Sequence, residues 1–213
     1  MIMTAKVKFK LDDKIFKPVD IDKVLSMAVT EKNFIGNNKG QKFLNVPVSF
    51  DIETTSFYRD EYGETYSYDR YIKLGGKQTK FEKCSVMYVW QFGINGYTVM
   101  GRTWEEFLEM MATVVRLLKL SQDRRIIVFI HNLSYEFQFI RELFEWEKVF
   151  SIDLRKPIYA ITENGIEFRC SYLLSGYSLA KLGEQLHTYK CEKMVGDLDY
   201  SLLRHTGTPL TPK

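Results

Sequence analysis

"RRIIVFIH", residues 124–131, sets five apolar side chains in a row behind two arginines. A run this short and uninterrupted is the mark of a central strand covered on both sides. The chain must therefore build layers around a sheet, which selects an α/β arrangement. "HNLS" follows, and Ser134 is placed to cap a helix over "YEFQFIRELFEWE".

The flanking segments fit that scheme. "LNVPVSFDIETT" alternates, with Val46, Val48, Phe50 and Ile52 on one face and Pro47, Ser49, Asp51 and Glu53 on the other, so it reads as a strand. The tyrosine-rich stretch that follows reads as a long hairpin or excursion before "CSVMYVWQFGING" and "YTVMGR" add two more strands. Thr103 and Glu106 form a capping box, and Phe107, Met111, Val114 and Leu118 line one face of the helix it opens. "PIYAIT" and "IEFRCSYLL" read as a hairpin in which Asn164 and Gly165 supply positive backbone angles, and Ser178 opens a last helix. The sum is an α/β sandwich on a mixed sheet. At 213 residues one sizeable core is expected, with residues 1–45, lysine-rich and ending in a Gly/Asn loop, as an N-terminal extension to a domain at 46–213.

Composition excludes several classes. No apolar run nears the roughly 20 residues that cross a bilayer, and the N-terminus lacks an apolar signal core, so no membrane partner is expected. Cys84, Cys170 and Cys191 are widely spaced without a Cys-x-x-Cys pair, and His131, His187 and His205 have no helical ligand spacing. Intracellular free thiols fit better than a disulfide framework or a zinc site. A net charge of +3 is too small to establish a nucleic-acid partner.

Chemistry concentrates where two strands end. Asp51 and Glu53 stand at i and i+2 on one strand, so they project from one face roughly 6.5 Å apart. Two ionised carboxylates at that range repel, so a counter-charge must share the site or the face must be wet. A bare Asp-x-Glu also describes an ordinary amphipathic strand. The central strand, however, delivers Asn132 in its turn and Glu136 on the next helix's first turn, facing Asp51 and Glu53 if the two strands are neighbours. Three hard oxygen donors without His or Cys suit Mg²⁺ or Mn²⁺, and a pair of such ions drives in-line attack on phosphodiesters.

These stretches resemble the 3′-to-5′ exonuclease domain of family B DNA polymerases, in particular the protein-primed polymerases of bacteriophages. "FDIETT" is similar to that family's first exonuclease motif and "HNLSYEF" to its second, while "VGDLDYSLLRHTGTPLT" resembles its Gly-Asp-x-Asp-Tyr segment. The resemblance spans residues 46–211. It implies a ribonuclease H-like fold and two-metal removal of 3′-terminal nucleotides from single-stranded DNA in the cytoplasm of a bacterial cell. By the same resemblance Asp51, Glu53 and Glu136 are catalytic metal ligands for Mg²⁺ or Mn²⁺. Thr54, Asn132, Tyr135, Ser171 and Tyr200 are contacts to the single-stranded 3′ end. The remainder of a polymerase and a terminal protein are implied partners.

Three departures accompany it. Glu136 stands where the family has Asp; Val195 stands where it often has a catalytic lysine, with Lys193 two residues earlier; and no Tyr-x-x-x-Asp third motif occurs in the 213 residues, as if the chain were truncated before it. The expectation is an exonuclease domain impaired in isolation, without polymerising activity. The alternatives are a catalytically silent module that binds single-stranded DNA or docks a partner, and a related nuclease acting on RNA or duplex DNA.

Overall fold

The computed structural model describes residues 15–76, 80–153, 155–186 and 203–210. The chain opens with β1 (Ile15–Phe16), α1 (Ile21–Ala28), β2 (Phe34–Gly36) and β3 (Lys42–Leu44). It continues through β4 (Val48–Arg59), β5 (Thr65–Tyr66), α2 (Tyr68–Lys73), β6 (Glu82–Ile94), β7 (Tyr97–Gly101) and α3 (Trp104–Leu118). The second half holds β8 (Arg124–Ile130), α4 (Leu133–Ile140), β9 (Trp146–Ser151), β10 (Pro157–Thr162), β11 (Ile166–Cys170), α5 (Tyr172–Ser175) and α6 (Leu179–Gln185).

The strands run β1-β7-β6-β4-β8-β11-β10-β9 across one mixed sheet. Strands β4, β8 and β11 are mutually parallel neighbours at its centre, while β6 is antiparallel to both β4 and β7. The buried run is central, as its composition requires. Ile126, Val128 and Ile130 are fully buried, whereas Ile127 and Phe129 are only half-buried. On that second face of the sheet Glu167 of β11 is buried between Arg169 and Arg125, at 2.5 and 3.7 Å. An apolar run thus tolerates a polar neighbour because the charges are paired.

One core gathers the apolar faces of α1, α3 and α4 against the sheet, with Trp90, Phe92, Phe107 and Phe168 at its centre. The Thr103/Glu106 capping box is formed, and Phe107, Met111, Val114 and Leu118 all face inward. Phe107 meets Phe50 of β4 with ring centroids 4.8 Å apart, which fixes α3 over the strand that carries the acid pair.

Several expectations need correction. Residues 15–44 are built into the fold rather than extending from it. Ile21, Val24, Leu25 and Ala28 recur at helical spacing and enter the common core, β1 pairs with β7, and β3 pairs with β8. The lysines between those apolar positions obscured the period. The second long helix ends at Ile140, and Trp146–Ser151 is an edge strand on β10. Packing overrides helix propensity there. Trp146 lies against Phe137, Phe144 and Phe168 and donates its indole N–H to the carbonyl of Arg141 at 2.7 Å, a geometry that a continued helix would forbid. Asn132, in the left-handed region at φ 72°, occupies the N-cap in place of Ser134. In the β10–β11 turn only Gly165 has positive φ.

Gly165 yields a stability prediction. Its φ is +86°, and a Cβ added there would lie 2.2 Å from the Ser121 carbonyl oxygen. Gly165→Ala is expected to lower the unfolding free energy by about 2 kcal/mol or more, from strained backbone and a clash with main chain. Urea denaturation of the two proteins measures it; an unchanged midpoint contradicts the turn geometry.

Candidate active site

Strands β8 and β11 end side by side at Ile130 and Cys170, and the parallel pairing of Ser49 with Phe129 sets the acid pair of β4 beside those ends; β4 itself does not end there, as the sequence suggested, but runs on to Arg59 because β6 pairs with it along its whole length. Ligands of open α/β sheets gather at such strand ends. Strand β4 brings Asp51, Glu53 and Thr54; the β8–α4 turn brings Asn132, Tyr135 and Glu136; and the residue after β11 is Ser171. A local irregularity marks the same place. Between the pairs Glu53–Val89 and Thr54–Met87 the partner strand β6 carries one extra residue, Tyr88. Such a bulge twists the ribbon and re-aims the side chains that follow.

The β8–α4 turn is tight because Asn132 takes a left-handed conformation, which Asn tolerates better than most residues. Its carbonyl accepts the N–H of Tyr135 at 3.0 Å, and its exposed side chain makes no cap hydrogen bond. Two residues of the first helical turn then face different surroundings. Tyr135 stays 40% exposed while its hydroxyl shares a 2.5 Å hydrogen bond with Thr54 Oγ1, tying α4 to β4. Glu136 points inward, 5% exposed, and its Oε2 has no hydrogen-bond partner.

Burial pushes the Glu136 carboxyl up to about 7, and the negative charge of Asp51 pushes in the same direction; only its own backbone N–H opposes them. A buried carboxyl with an orphaned oxygen is costly, by about 1–3 kcal/mol for the missing hydrogen bond. The expected meeting of Glu136 with Asp51 is thus present as an electrostatic interaction. Glu53 is half-buried on the same strand, two residues after Asp51. Among the described residues no group of three or more His, Cys, Asp or Glu is close enough to hold a metal ion.

The donor chemistry nevertheless fits a hard divalent cation. Glu136 offers an oxygen that lacks a proton donor, and Asp51 offers a charge whose repulsion a cation would reverse.

Ser171 is anchored to the same edge. Its N–H donates to the Ile130 carbonyl at 2.9 Å, and its hydroxyl lies 3.2 Å from Nδ1 of His131. The His131 ring in turn meets Tyr172 edge to face, with centroids 5.7 Å apart. His131 was not legible as a site residue, although its place directly after a buried strand was the available signal. Tyr200, Lys193 and Val195 lie outside the described residues. A cavity of about 530 Å³ lies elsewhere, between α3 and the β10–β11 turn. Its lining includes the apolar Leu108, Met111, Leu143 and Phe144 and none of the acids Asp51, Glu53 and Glu136. The convergent acids, rather than the volume, mark the candidate site.

No family model, no curated protein and no solved structure matches this chain.

The raised Glu136 carboxyl makes stability depend on pH. Below the ordinary 4.5 the group is protonated folded or unfolded; between there and about 7 the unfolded chain has released the proton and the native one has not. Stability therefore falls as pH rises through that window, by up to about 3 kcal/mol, and the loss is complete above it. In the presence of a chelator, Glu136→Gln is expected to gain stability over wild type by a few kcal/mol at pH 8 relative to the difference at pH 4. Denaturation curves at the two pH values decide it, and a difference that does not change with pH contradicts the buried, charge-opposed carboxyl.

Proposed function

We propose that the chain is a metal-dependent nuclease domain with a ribonuclease H-like fold that removes nucleotides from the 3′ end of single-stranded DNA. The observation that carries this is Glu136: a buried carboxyl with an orphaned oxygen, opposed by Asp51, just past the carboxyl end of β8 where β4 runs parallel beside it. A fold keeps such a costly group where a ligand offsets the cost. The order of elements and the motifs "FDIETT" and "HNLSYEF" support the same reading through their resemblance to the exonuclease domains of phage family B polymerases.

Asp51, Glu53 and Glu136 would hold Mg²⁺ or Mn²⁺. Bound there, such ions supply acidification of an attacking water and stabilisation of the departing 3′ oxygen. The protein's own groups do the rest. Tyr135, exposed yet pinned through its hydroxyl to Thr54, presents a ring on which a terminal base can stack. Asn132 offers an unused amide beside it, and Ser171, steadied by His131, offers a hydroxyl across the edge. Glu136, half-titrated near neutrality, gives up its proton readily when a cation approaches.

A second reading, a silent module that only binds single-stranded DNA, is favoured by one feature, the lack of any Tyr-x-x-x-Asp in the sequence to supply a further acid and a water-orienting tyrosine.

A 5′-labelled oligonucleotide with a mismatched 3′ end separates the two. With Mg²⁺ or Mn²⁺ the nuclease releases mononucleotides, and Asp51→Ala or chelation lowers the rate by about a hundredfold or more. Binding without release, indifferent to chelation, supports the silent module. Release that survives Asp51→Ala defeats the metal assignment. Parallel single-stranded RNA and hybrid substrates test the choice of DNA.

A further inference from the structure

Five residues stand directly opposite one another across five strands of the sheet. Ser49 of β4 pairs with Phe129 of β8, Phe129 with Arg169 of β11, Arg169 with Tyr159 of β10, and Tyr159 with Phe150 of the edge strand β9. Residues in register share a face, so the five form one row, four strand spacings or about 19 Å long. The row lies on the face that carries Asp51, which is two residues past Ser49 and about 7 Å nearer the carboxyl ends of β8 and β11. Phe50 and Ile52 take the opposite face, into the core.

The aromatic members of the row serve no part of that core. Phe129, Tyr159 and Phe150 stand outside the cluster that α1, α3 and α4 cover. Phe150 is 48% exposed although it sits on an edge strand, where exposed apolar groups are a liability. Its ring stacks on that of Tyr159, with centroids 5.4 Å apart and planes at 27°, and the Lys148 ammonium lies 5.8 Å from the Tyr159 centroid. Positive charge is in excess on this face. Arg125 and Arg169 share the one carboxylate of Glu167, Arg169 keeps 45% of its side chain exposed, and Lys148 has no ion pair among the described residues.

Exposed rings with cations set among them fit a partner that offers unpaired bases to stack and a phosphate at every step, which is a single strand of nucleic acid. We propose that this row is the track that carries the single strand away from the acid site, with bases laid on Phe150 and Tyr159 and phosphates held by Arg169 and Lys148. The proposal rests on the nuclease reading above and adds the path taken by the nucleotides that precede the 3′ end.

The test uses the full chain and a fluorescein-labelled dodecathymidylate in a chelator, with anisotropy followed across a series of KCl concentrations. Phe150→Leu removes the ring and keeps an apolar side chain. It is expected to weaken binding about tenfold, as loss of one stacked base does, whereas Phe150→Trp stays within about threefold of wild type. Lys148→Gln is expected to make the slope of log K against log salt shallower by about 0.7, the increment for one single-strand phosphate contact. Arg169 is left in place, because its loss would strip the buried Glu167 of a partner. A single 5-iododeoxyuridine set several nucleotides before the 3′ end is expected, on irradiation, to form its adduct on the tryptic peptide 149–155, read by mass spectrometry. Phe150→Leu and Lys148→Gln proteins with wild-type affinity and slope, and an adduct elsewhere, overturn the track and leave the nuclease reading standing. Weaker binding with a lowered melting temperature and the adduct elsewhere overturns it too, and marks Phe150 as structural. So does a wild-type dimer that Phe150→Leu turns into a monomer in sedimentation, which gives the face to a second copy. A wild-type chain that neither binds the strand nor releases nucleotides with Mg²⁺ or Mn²⁺ removes both.

Discussion

The rest of the structure is arranged around a carboxyl group that folding alone would not favour. Glu136 is taken almost wholly out of water, one of its oxygens finds no donor, and the nearby charge of Asp51 raises the cost of ionising it. A buried carboxyl with a like-signed neighbour beside it is the kind of place where a cation relieves both costs.

What holds the two acids in reach is topology. Strand β4 arrives from one side of the chain and β8 from the other, and their parallel pairing at Ser49 and Phe129 sends Asp51 and the β8–α4 turn to the same edge. Asn132 makes that turn short enough for the helix to start at once, and the Thr54–Tyr135 hydrogen bond closes the gap between strand and helix. Beneath them the Phe50–Phe107 contact and the α3 capping box hold the strand rigidly, and precision at the edge depends on that support. The extra residue on β6, Tyr88, lies next to the pairs made by Glu53 and Thr54.

The legible parts of the sequence were those governed by short-range rules. The run at 126–130 gave the central strand, the Thr103/Glu106 pair gave the start of α3, and the alternation through Ile52 gave the acid face. Asp51, Thr54, Asn132, Tyr135, Glu136 and Ser171 all come to one end of the central strands, while a close grouping of three acids does not appear among the described residues. Features set by distant partners were not legible. Trp146 leaves the helical pattern because Phe144 and Phe168 hold it in place, and α1 is core because α3 and the sheet cover it. The placement of residues 203–208 carries no local signal at all, since Arg102, about a hundred residues away in the chain, donates to the carbonyls of His205 and Thr208.

The most direct measurement is the anomalous scattering of Mn²⁺ in crystals of the full chain. The account predicts a peak within about 2.2 Å of carboxylate oxygens from both Asp51 and Glu136, the coordination distance of a small hard dication. Crystals grown in saturating Mn²⁺ that show no peak there, with the Glu136 carboxyl still buried and unpartnered, would contradict it.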